Sequence, residues 1–481
     1  MGKKAHSTLY KLLLLSILCI TLQGLFFVSC SKNDEIDVVT DDPQEQPQPE
    51  DPDDPKEEDP ADNPEENPQP GEETGTERDI FPREDLAWKK VEHFPTIRIT
   101  TDGGVGIYSK EAYVTADIRV EDPDKMYSDS TLYEGRMRIR GRGNTTWDMP
   151  KKPYRIKLDE HTKLLGMKGN KDWVLLANYS DKSLLRNIVA MEISRLCELP
   201  WTPRMRTVEL YLNGTYQGSY VICQHKEVAK EKVDIDVAAG DLYLEVDTTQ
   251  DELECFESER WLIPFMFKDP EQPTAQQVAD FKAYIRAVED ALYANPGGDY
   301  ASLIDVDSFI GNYIIQEIAK NVDGNFRKSN FLTKTVSGKL TIAHVWDFDI
   351  AFGNCNYIDS QHQNGVTNGP EGWLIKIMGR KKKTDSWYPR LFLDPPFVEA
   401  LLAKWDSIKP GLDEIPAMID HYVELNRASY DHNFQTWQIL GTYVWPNVVT
   451  PSTYDGEIDY LKDFYTRRVA WLDAELHKLV E

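Results

Sequence analysis

The chain has 481 residues, 41% of them apolar, and carries 81 acidic against 54 basic side chains, a net charge of −27. Residues 34–77 hold nineteen acids and one lysine, whereas residues 78–481 hold 62 acids and 49 bases. Because the second segment has no surplus of bases to neutralise phosphates, we exclude general nucleic-acid binding. No apolar run of about 18 residues occurs beyond the N-terminus, so we expect no membrane-spanning helix in the mature chain.

Residues 1–29 have the pattern of a signal peptide. Lysines precede an apolar stretch over 12–22, and Cys30 follows a small residue, Ser29. This resembles the cleavage and acylation site of bacterial lipoproteins, and the acids just after Cys30 resemble the surface-export tag of Bacteroidetes lipoproteins. We therefore expect lipidation at Cys30 and anchoring to the outer membrane, at the cell surface, through lipid only. A plain secretory signal or a membrane anchor is the alternative.

Residues 30–78, which begin at the acylated cysteine, are predicted to form a disordered tether. They consist largely of Pro, Asp, Glu, Gln and Asn. Such a composition buries too little apolar surface to offset the entropy lost on ordering. Proline and charge repulsion then favour an extended stalk. A tract of acids that buffers metal ions is the alternative.

Residues 79–270 are predicted to be rich in β-strands. Alternating apolar and polar residues indicate strands at 96–100, 112–120, 135–140, 153–158 and 241–247. A hairpin is indicated over 208–223, about Asn213-Gly214. Helical spacing of apolar residues interrupts the strands at 182–199.

Residues 271–481 are predicted to be rich in α-helices. Helical spacing occurs at 274–294, 306–320, 396–404, 415–430 and 454–479, with one hairpin over 330–335 and 339–346. A strand-rich segment, 79–270, followed by a helix-rich segment, 271–481, predicts the α+β class, in two lobes with a cleft between them.

Four cysteines lie beyond the N-terminal segment: Cys197, Cys223, Cys255 and Cys355. None has the spacing of a zinc site. Export permits disulfides, but the sequence does not indicate a pairing, and four buried thiols fit it equally well.

The first candidate site is a basic segment that contains glycines. The stretch 140–147 has Gly141 and Gly143 beside hydroxyl residues, and a basic strand, 151–157, follows. Exposed backbone N–H groups and bases can cradle phosphates, although no Walker motif is present. A hairpin with solvated bases is the alternative.

Two acidic segments are the other candidates. Asp323 and Asn330 lie between a predicted helix and a predicted strand, where they can hold a hydroxyl and a metal, or simply form a turn. Further on, an apolar strand runs into Asp347-Phe348-Asp349. A buried carboxylate without a partner is costly. Mg²⁺ is one compensating partner, and local backbone capping or a salt bridge to the basic strand is the alternative.

Together these three segments supply phosphate-binding bases, an Asp that can accept a hydroxyl proton, and an Asp that can hold a metal. These are the elements of phosphoryl transfer.

The sequence resembles the CotH kinase family of atypical protein kinases over about residues 94–478. The matching motifs are Arg142-Gly143-Asn144-Thr145-Thr146-Trp147, Lys151-Lys152-Pro153-Tyr154-Arg155-Ile156-Lys157, Asp181-Lys182-Ser183-Leu184-Leu185-Arg186-Asn187, Val208-Glu209-Leu210-Tyr211-Leu212-Asn213-Gly214 and Trp346-Asp347-Phe348-Asp349.

The resemblance implies a divergent two-lobed kinase fold that uses ATP and Mg²⁺ or Mn²⁺ to phosphorylate Ser or Thr of a protein, whose identity the sequence does not indicate. It also implies roles for particular residues. They are Asp323 as the catalytic Asp, Asp347 as the metal Asp with Asp349 close by, Asn330 or Asn325 assisting the metal, Lys152 or Lys157 on the nucleotide phosphates, and Arg142 and Asn144 in the glycine-rich motif.

Two other classes of function remain as alternatives. Twelve Trp and 23 Tyr would suit a non-catalytic surface module that binds glycans or proteins for adhesion, on the same kinase-like scaffold. A glycosidase would need a pair of carboxylates whose separation the sequence does not give. Neither a catalytic Ser/His/Asp triad nor a GxSxG motif is indicated.

Overall fold

The computed structural model describes residues 90–127, 130–294, 298–358, 367–378 and 386–480. All of them belong to one compact unit, Gly75–Glu481. The predicted signal peptide 1–29, Cys30 and the predicted tether lie outside the described residues.

The described residues form an α+β fold, as predicted, with most strands in the first half and most helices in the second. The strands are β1 (Thr96–Thr101), β2 (Val114–Glu121), β3 (Leu132–Gly141), β4 (Tyr154–Thr162), β5 (Asn170–Leu176), β6 (Met205–Leu212), β7 (Thr215–Gln224), β8 (Leu242–Val246), β9 (Cys255–Glu257), β10 (Pro264–Asp269), β11 (Asn330–Lys334) and β12 (Leu340–Val345). The helices are α1 (Thr145–Asp148), α2 (Arg186–Leu196), α3 (Ala275–Tyr293), α4 (Val306–Ala319), α5 (Trp387–Leu391), α6 (Pro395–Thr436) and α7 (Tyr454–His477).

The first seven strands close into a barrel in the order β1-β2-β3-β4-β5-β7-β6. Closure comes from a parallel pairing of β1 with β6, and the other neighbours are antiparallel. Alternate residues point inward, so Ile97 and Ile99 of β1 and Met137 and Ile139 of β3 are almost completely buried. The alternating apolar residues that predicted these strands are therefore the side chains that pack into the barrel core.

The other five strands form a second sheet in the order β12-β11-β8-β10-β9. β11 is antiparallel to both of its neighbours, and Asn330 pairs with Val246 on one side and Val345 on the other. The ends of β8 and β12 therefore meet the beginning of β11 at one edge of the sheet. The predicted boundary at residue 270 falls between β10 and β11, so this sheet takes strands from both sides of it.

The long helix α6 differs from the prediction. We predicted two shorter helices with a break over 405–414, but the helix runs through Pro410 and Pro416 without interruption. A proline inside a helix removes one backbone hydrogen bond. Here Trp405 and Leu412 stay buried against the core through the predicted break, and this packing outweighs the local cost.

The helix predicted over 182–199 begins only at Arg186. The Asp181 carboxylate accepts hydrogen bonds from the backbone N–H groups of Ser183 (3.1 Å) and Arg186 (2.9 Å). Leu184 has a φ of 61°, which no helix allows. The first residues of the predicted helix are therefore a turn that Asp181 holds.

Cys197, Cys223 and Cys355 are buried, Cys255 is partly buried, and all four are free thiols. No helix among the described residues is both long enough and apolar enough to cross a membrane.

Candidate active site

A cavity of about 350 Å³ lies where connections of the barrel, the edge of the second sheet and the loops between helices meet. Its volume falls in the range of small-molecule sites. Five of the residues that the sequence singled out line it: Arg142, Asn144, Asp323, Asp347 and Asp349. The structure thus brings the three candidate segments to one place.

The edge of the second sheet places two carboxylates next to each other. Asp247 follows the last residue of β8, and Asp347 lies two residues after the end of β12. Because both strands pair with β11 at Asn330, the two acids leave the sheet at the same edge. The charge of Asp247 contributes to the raised pKa of Asp347, so the two acids lie within electrostatic reach.

Asp347 and Asp349 line this cavity, the first exposed and the second half-buried. Neighbouring protein atoms raise the pKa of Asp347, while the Arg142 guanidinium opposes the rise. Burial, with the charge of Asp347, raises the pKa of Asp349 to about 8. Ser180 Oγ donates a hydrogen bond of 3.3 Å to Asp349 Oδ2. Both acids would gain from a cation, because a positive charge offsets what burial costs their ionised forms.

Asp323 lies in a loop with several unusual backbone conformations. Asn325, Phe326 and Ser329 have positive φ values of 50°, 59° and 52°, and Asp347 across the cavity has 70°. Such conformations cost energy and cluster at functional sites. The Asp323 carboxylate lies 3.8 Å from Arg327 Nε. Burial raises the pKa of Asp323, against the opposing charges of Arg327 and Lys328. A raised pKa makes this carboxylate a stronger proton acceptor.

The two candidate asparagines each have a buried Oδ1 with no hydrogen-bond partner among the described residues, and they differ in where their Nδ2 donates. Asn325 Nδ2 donates to the carbonyl oxygen of Met378, so its amide holds a neighbouring segment. Asn330 Nδ2 donates to Lys328 O (2.7 Å), and the buried Asn330 Oδ1 has no hydrogen-bond partner among the described residues. An unpaired buried acceptor at the strand edge suits a cation or a water that a cation holds.

The acids fit a metal that a substrate shares rather than one that the protein encloses alone. Within the described ranges, no three His, Cys, Asp or Glu side chains come together as a metal site. Mg²⁺ commonly binds one or two carboxylates, waters and substrate phosphates. Asp347 with its acidic neighbours agrees with this mode. Asn330 is not among the residues that line the cavity, but it pairs with Val345, two residues before Asp347.

The glycine-rich motif reaches the cavity from the end of β3. Gly143 has a φ of +87°, and a Cβ there would lie 2.2 Å from Thr146 Oγ1, so a side chain would disrupt the turn. The turn places Asn144 at the start of α1 without a side-chain cap bond. The Arg142 guanidinium lies 5.9 Å from the centre of a Trp346 ring. The motif therefore places the Arg142 guanidinium and the Asn144 side-chain amide in the lining of the same cavity as the acids.

Residues 139–472 match the family model for the CotH kinase protein. The match covers more than half of the chain. The chain belongs to the CotH kinase family. Among the curated proteins compared with it, none matches.

Another motif of the CotH resemblance, Asp181 to Asn187, supports the acidic loop from outside the cavity. Asn187 Oδ1 accepts a hydrogen bond of 2.8 Å from the backbone N–H of Phe348, between the two acids. Arg186 is paired with Asp181 (2.6 Å) and donates to Ala351 O (3.1 Å). This motif therefore fixes the backbone that carries Asp347 and Asp349.

The two lysines that the CotH resemblance assigned to the phosphates lie elsewhere. Lys152 Nζ donates to Trp147 O (2.5 Å) and is 5.2 Å from the centre of that indole ring. On β4, Tyr154, Ile156 and Leu158 point into the barrel, so Lys157 points to the opposite face. Neither lysine is among the residues that line the cavity.

Two other lysines, Lys226 and Lys268, line the cavity. Lys226 lies 3.2 Å from one Glu245 oxygen and Lys268 lies 3.4 Å from the other. Burial lowers the pKa of Lys226, partly offset by Glu245. Burial also lowers that of Lys268, but Glu245 and Glu252 outweigh it and the pKa is raised. Glu245 and Lys268 lie in strands of the second sheet, Glu252 lies between β8 and β9, and Lys226 follows β7 of the barrel.

Sequence reasoning missed Lys226, Glu245, Asp247 and Lys268. One signal was present for Asp247, because this acid directly follows the strand 242–246. Asp347 similarly comes just after an apolar strand. No comparable signal marked Lys226 or Lys268, since their common partner, Glu245, lies on a strand whose neighbours are set only by the fold.

Proposed function

We propose that the chain is a two-lobed, kinase-like enzyme that transfers the γ-phosphoryl group of ATP to Ser or Thr of a protein, with Mg²⁺ or Mn²⁺. The observation that supports this most is the meeting of Asp323, Asp347 and the pair of lysines on Glu245 around one cavity. Phosphoryl transfer depends almost entirely on positioning and charge, and this cavity offers both signs of charge in fixed places.

The lysines suit the triphosphate. Glu245 holds Lys226 and Lys268 from opposite oxygens, which fixes their side chains before a ligand binds. Arg142 adds a third cation to the cavity wall. Prearranged cations of this kind stabilise the negative charge on the transferring group, since no reorganisation is needed at the moment of reaction.

The acids suit the metal. Asp347 would be the main ligand, with Asp349, Asp247 and the Asn330 oxygen as its neighbours. The bound ion would neutralise charge on the β- and γ-phosphates. The role of the chain is to hold these acids next to the lysines. Asn187 Oδ1 accepts a hydrogen bond from the backbone N–H of Phe348 and so positions the loop, and Ser180 Oγ donates to Asp349, which favours its ionised form.

Asp323 would take the proton of the acceptor. The hydroxyl oxygen of Ser or Thr forms a bond to the γ-phosphorus, and the bond from that phosphorus to the bridging oxygen of ADP breaks. The hydroxyl proton passes to the Asp323 carboxylate, and the electron pair of the broken bond leaves with ADP. The raised pKa of Asp323 favours this acceptance.

We also propose that the protein works at the cell surface, held to the outer membrane by lipid at Cys30. The support is the signal-peptide pattern and the acids that follow Cys30. Cys30→Ser should release the protein from the membrane fraction and abolish labelling with a palmitate analogue. Retention and labelling of that variant would contradict this location.

Calorimetry and transfer assays on the purified full-length chain test the activity. We expect ATP to bind with Mg²⁺ or Mn²⁺, and radiolabelled phosphate to pass from γ-labelled ATP to the chain itself or to a Ser/Thr protein. Equal transfer by the parent and Asp323→Ala would contradict the assigned base. Heat of binding with glycans, together with none from ATP, would instead favour the adhesion module.

A further inference from the structure

Part of the cavity lining is apolar and aromatic, whereas most of the rest is polar or charged. Ile350, Tyr357 and Trp445 form this part, which we call the aromatic wall. The rings of Tyr357 and Trp445 lie parallel, with an angle of 8° and 5.7 Å between their centres. Trp445 is 44% exposed. The stacked Tyr357 ring supports the Trp445 ring on one side, and the exposed part of Trp445 is open to a ligand.

The loop that carries Trp445 is fixed by hydrogen bonds to the segment that follows the acids. Asn356 N donates to Pro446 O (3.0 Å), and Asn356 Nδ2 donates to Tyr443 Oη (2.9 Å). Asn447 Nδ2 donates to Asn354 Oδ1 (2.8 Å). A large exposed aromatic side chain on a loop held this firmly is a prepared binding surface, because little entropy is lost when a ligand orders it further.

The aromatic wall lies on the side of the proposed base. Asp323, Arg327 and Tyr357 line the same cavity. Burial mainly raises the pKa of Tyr357, the charge of Asp323 adds to the rise and the charge of Arg327 opposes it, so both charged groups lie within electrostatic reach of the ring. The lysines on Glu245, in contrast, come from the second sheet and the segment after β7. A molecule that places a hydroxyl at Asp323 therefore has the aromatic wall beside it, while the triphosphate has the lysines.

We propose that the aromatic wall binds a proline next to the Ser or Thr that receives the phosphoryl group, so that the acceptor is a proline-flanked, extended segment of a protein. This rests on the proposed function. The wall is uncharged, so it favours a neutral ring. Aromatic surfaces bind proline-rich segments in the extended polyproline conformation, which forms no internal hydrogen bonds and is prepared before binding. An extended acceptor also leaves its hydroxyl free to reach into the cavity.

The test uses the full-length chain with Mg²⁺ and a non-hydrolysable ATP analogue, so that binding is measured without transfer. Fluorescence polarisation follows labelled peptides that are identical except for the residue on either side of the serine: Pro, Ala, Phe or Lys. We expect the proline peptides to bind about tenfold more tightly than the alanine peptides. Trp445→Ala should remove this preference and leave the affinity for the ATP analogue unchanged.

Tyr108→Ala is the matched control, because Tyr108 is 86% exposed and lies outside the cavity lining. It should keep the proline preference. Equal binding of the proline and alanine peptides, tighter binding of the Phe or Lys peptides, or an unchanged preference in Trp445→Ala would overturn the proposal. Glycan fragments that displace the proline peptide from the parent more strongly than the unlabelled peptide would also overturn it.

The two proposals fail separately. Transfer of phosphate from ATP without a proline preference would support the kinase function and contradict the proline-binding proposal. A proline preference that depends on Trp445, together with no transfer from ATP, ends the kinase function and keeps the peptide site.

Discussion

Replacing Lys226 by methionine tests where the triphosphate binds. Lys226 lies 3.2 Å from Glu245, which corresponds to about 5 kcal/mol of gross attraction at an effective dielectric constant of about 20. If it also contacts a phosphate, its loss removes a charged hydrogen bond worth about 1.5–3 kcal/mol. The dissociation constant for Mg·ATP should therefore rise about 10- to 150-fold. Calorimetry with the full-length chain measures this directly.

The fold should survive this change. Lys268 remains 3.4 Å from Glu245, so the loss of unfolding free energy should stay well below the about 3–5 kcal/mol of a fully broken buried pair. Lys152→Met is the matched control, because Lys152 contacts Trp147 and lies outside the cavity lining. If Lys152→Met weakened ATP binding and Lys226→Met did not, the assignment of the phosphates to Lys226 would be refuted.

Three further predictions concern the proposed base, an acid and a buried ion pair. Asp323→Asn should lower transfer by about 10²- to 10⁴-fold in a single-turnover assay and leave ATP affinity unchanged. The pKa of Asp349 is raised to about 8, above its unfolded value of about 4, so without metal the protein should lose stability as pH rises from about 4 to about 8. Asp349→Asn should reduce that loss in urea unfolding at pH 5 and 9, and an identical loss in the variant would contradict it. Arg468→Leu breaks a fully buried pair with Glu317 and should cost about 3–5 kcal/mol. Arg467→Leu, at the exposed neighbour that pairs with Glu371, should cost under about 1 kcal/mol. Equal losses of unfolding free energy in the two variants would contradict this prediction.

The sequence predicted those features that depend on local pattern. Alternation gave the strands of the barrel, and an acid after an apolar strand marked Asp347. The resemblance added the role of Asp323, and the fold brings both to one cavity.

Features that depend on distant contacts could not be predicted in this way. Lys152 and Lys226 are both basic residues beside strands of the barrel, and only the way the barrel packs against the second sheet decides which one meets Glu245. The continuity of α6 through Pro410 and Pro416 likewise depends on the core that the helix covers. A single sequence gives these residues but does not show which residues lie next to them in space.

The convergence of β8, β11 and β12 has a consequence for how this chain tolerates changes of length. The turn between β11 and β12, residues 335–339, lies at the opposite end of the hairpin from Asn330 and Val345. Extra residues inserted there would lengthen a remote loop and leave the acids in place. Deletion of a single residue within β12 would instead reverse the direction of every side chain after it. Long and short relatives could therefore share one arrangement of acids, provided that they differ at the turn and not within the strand.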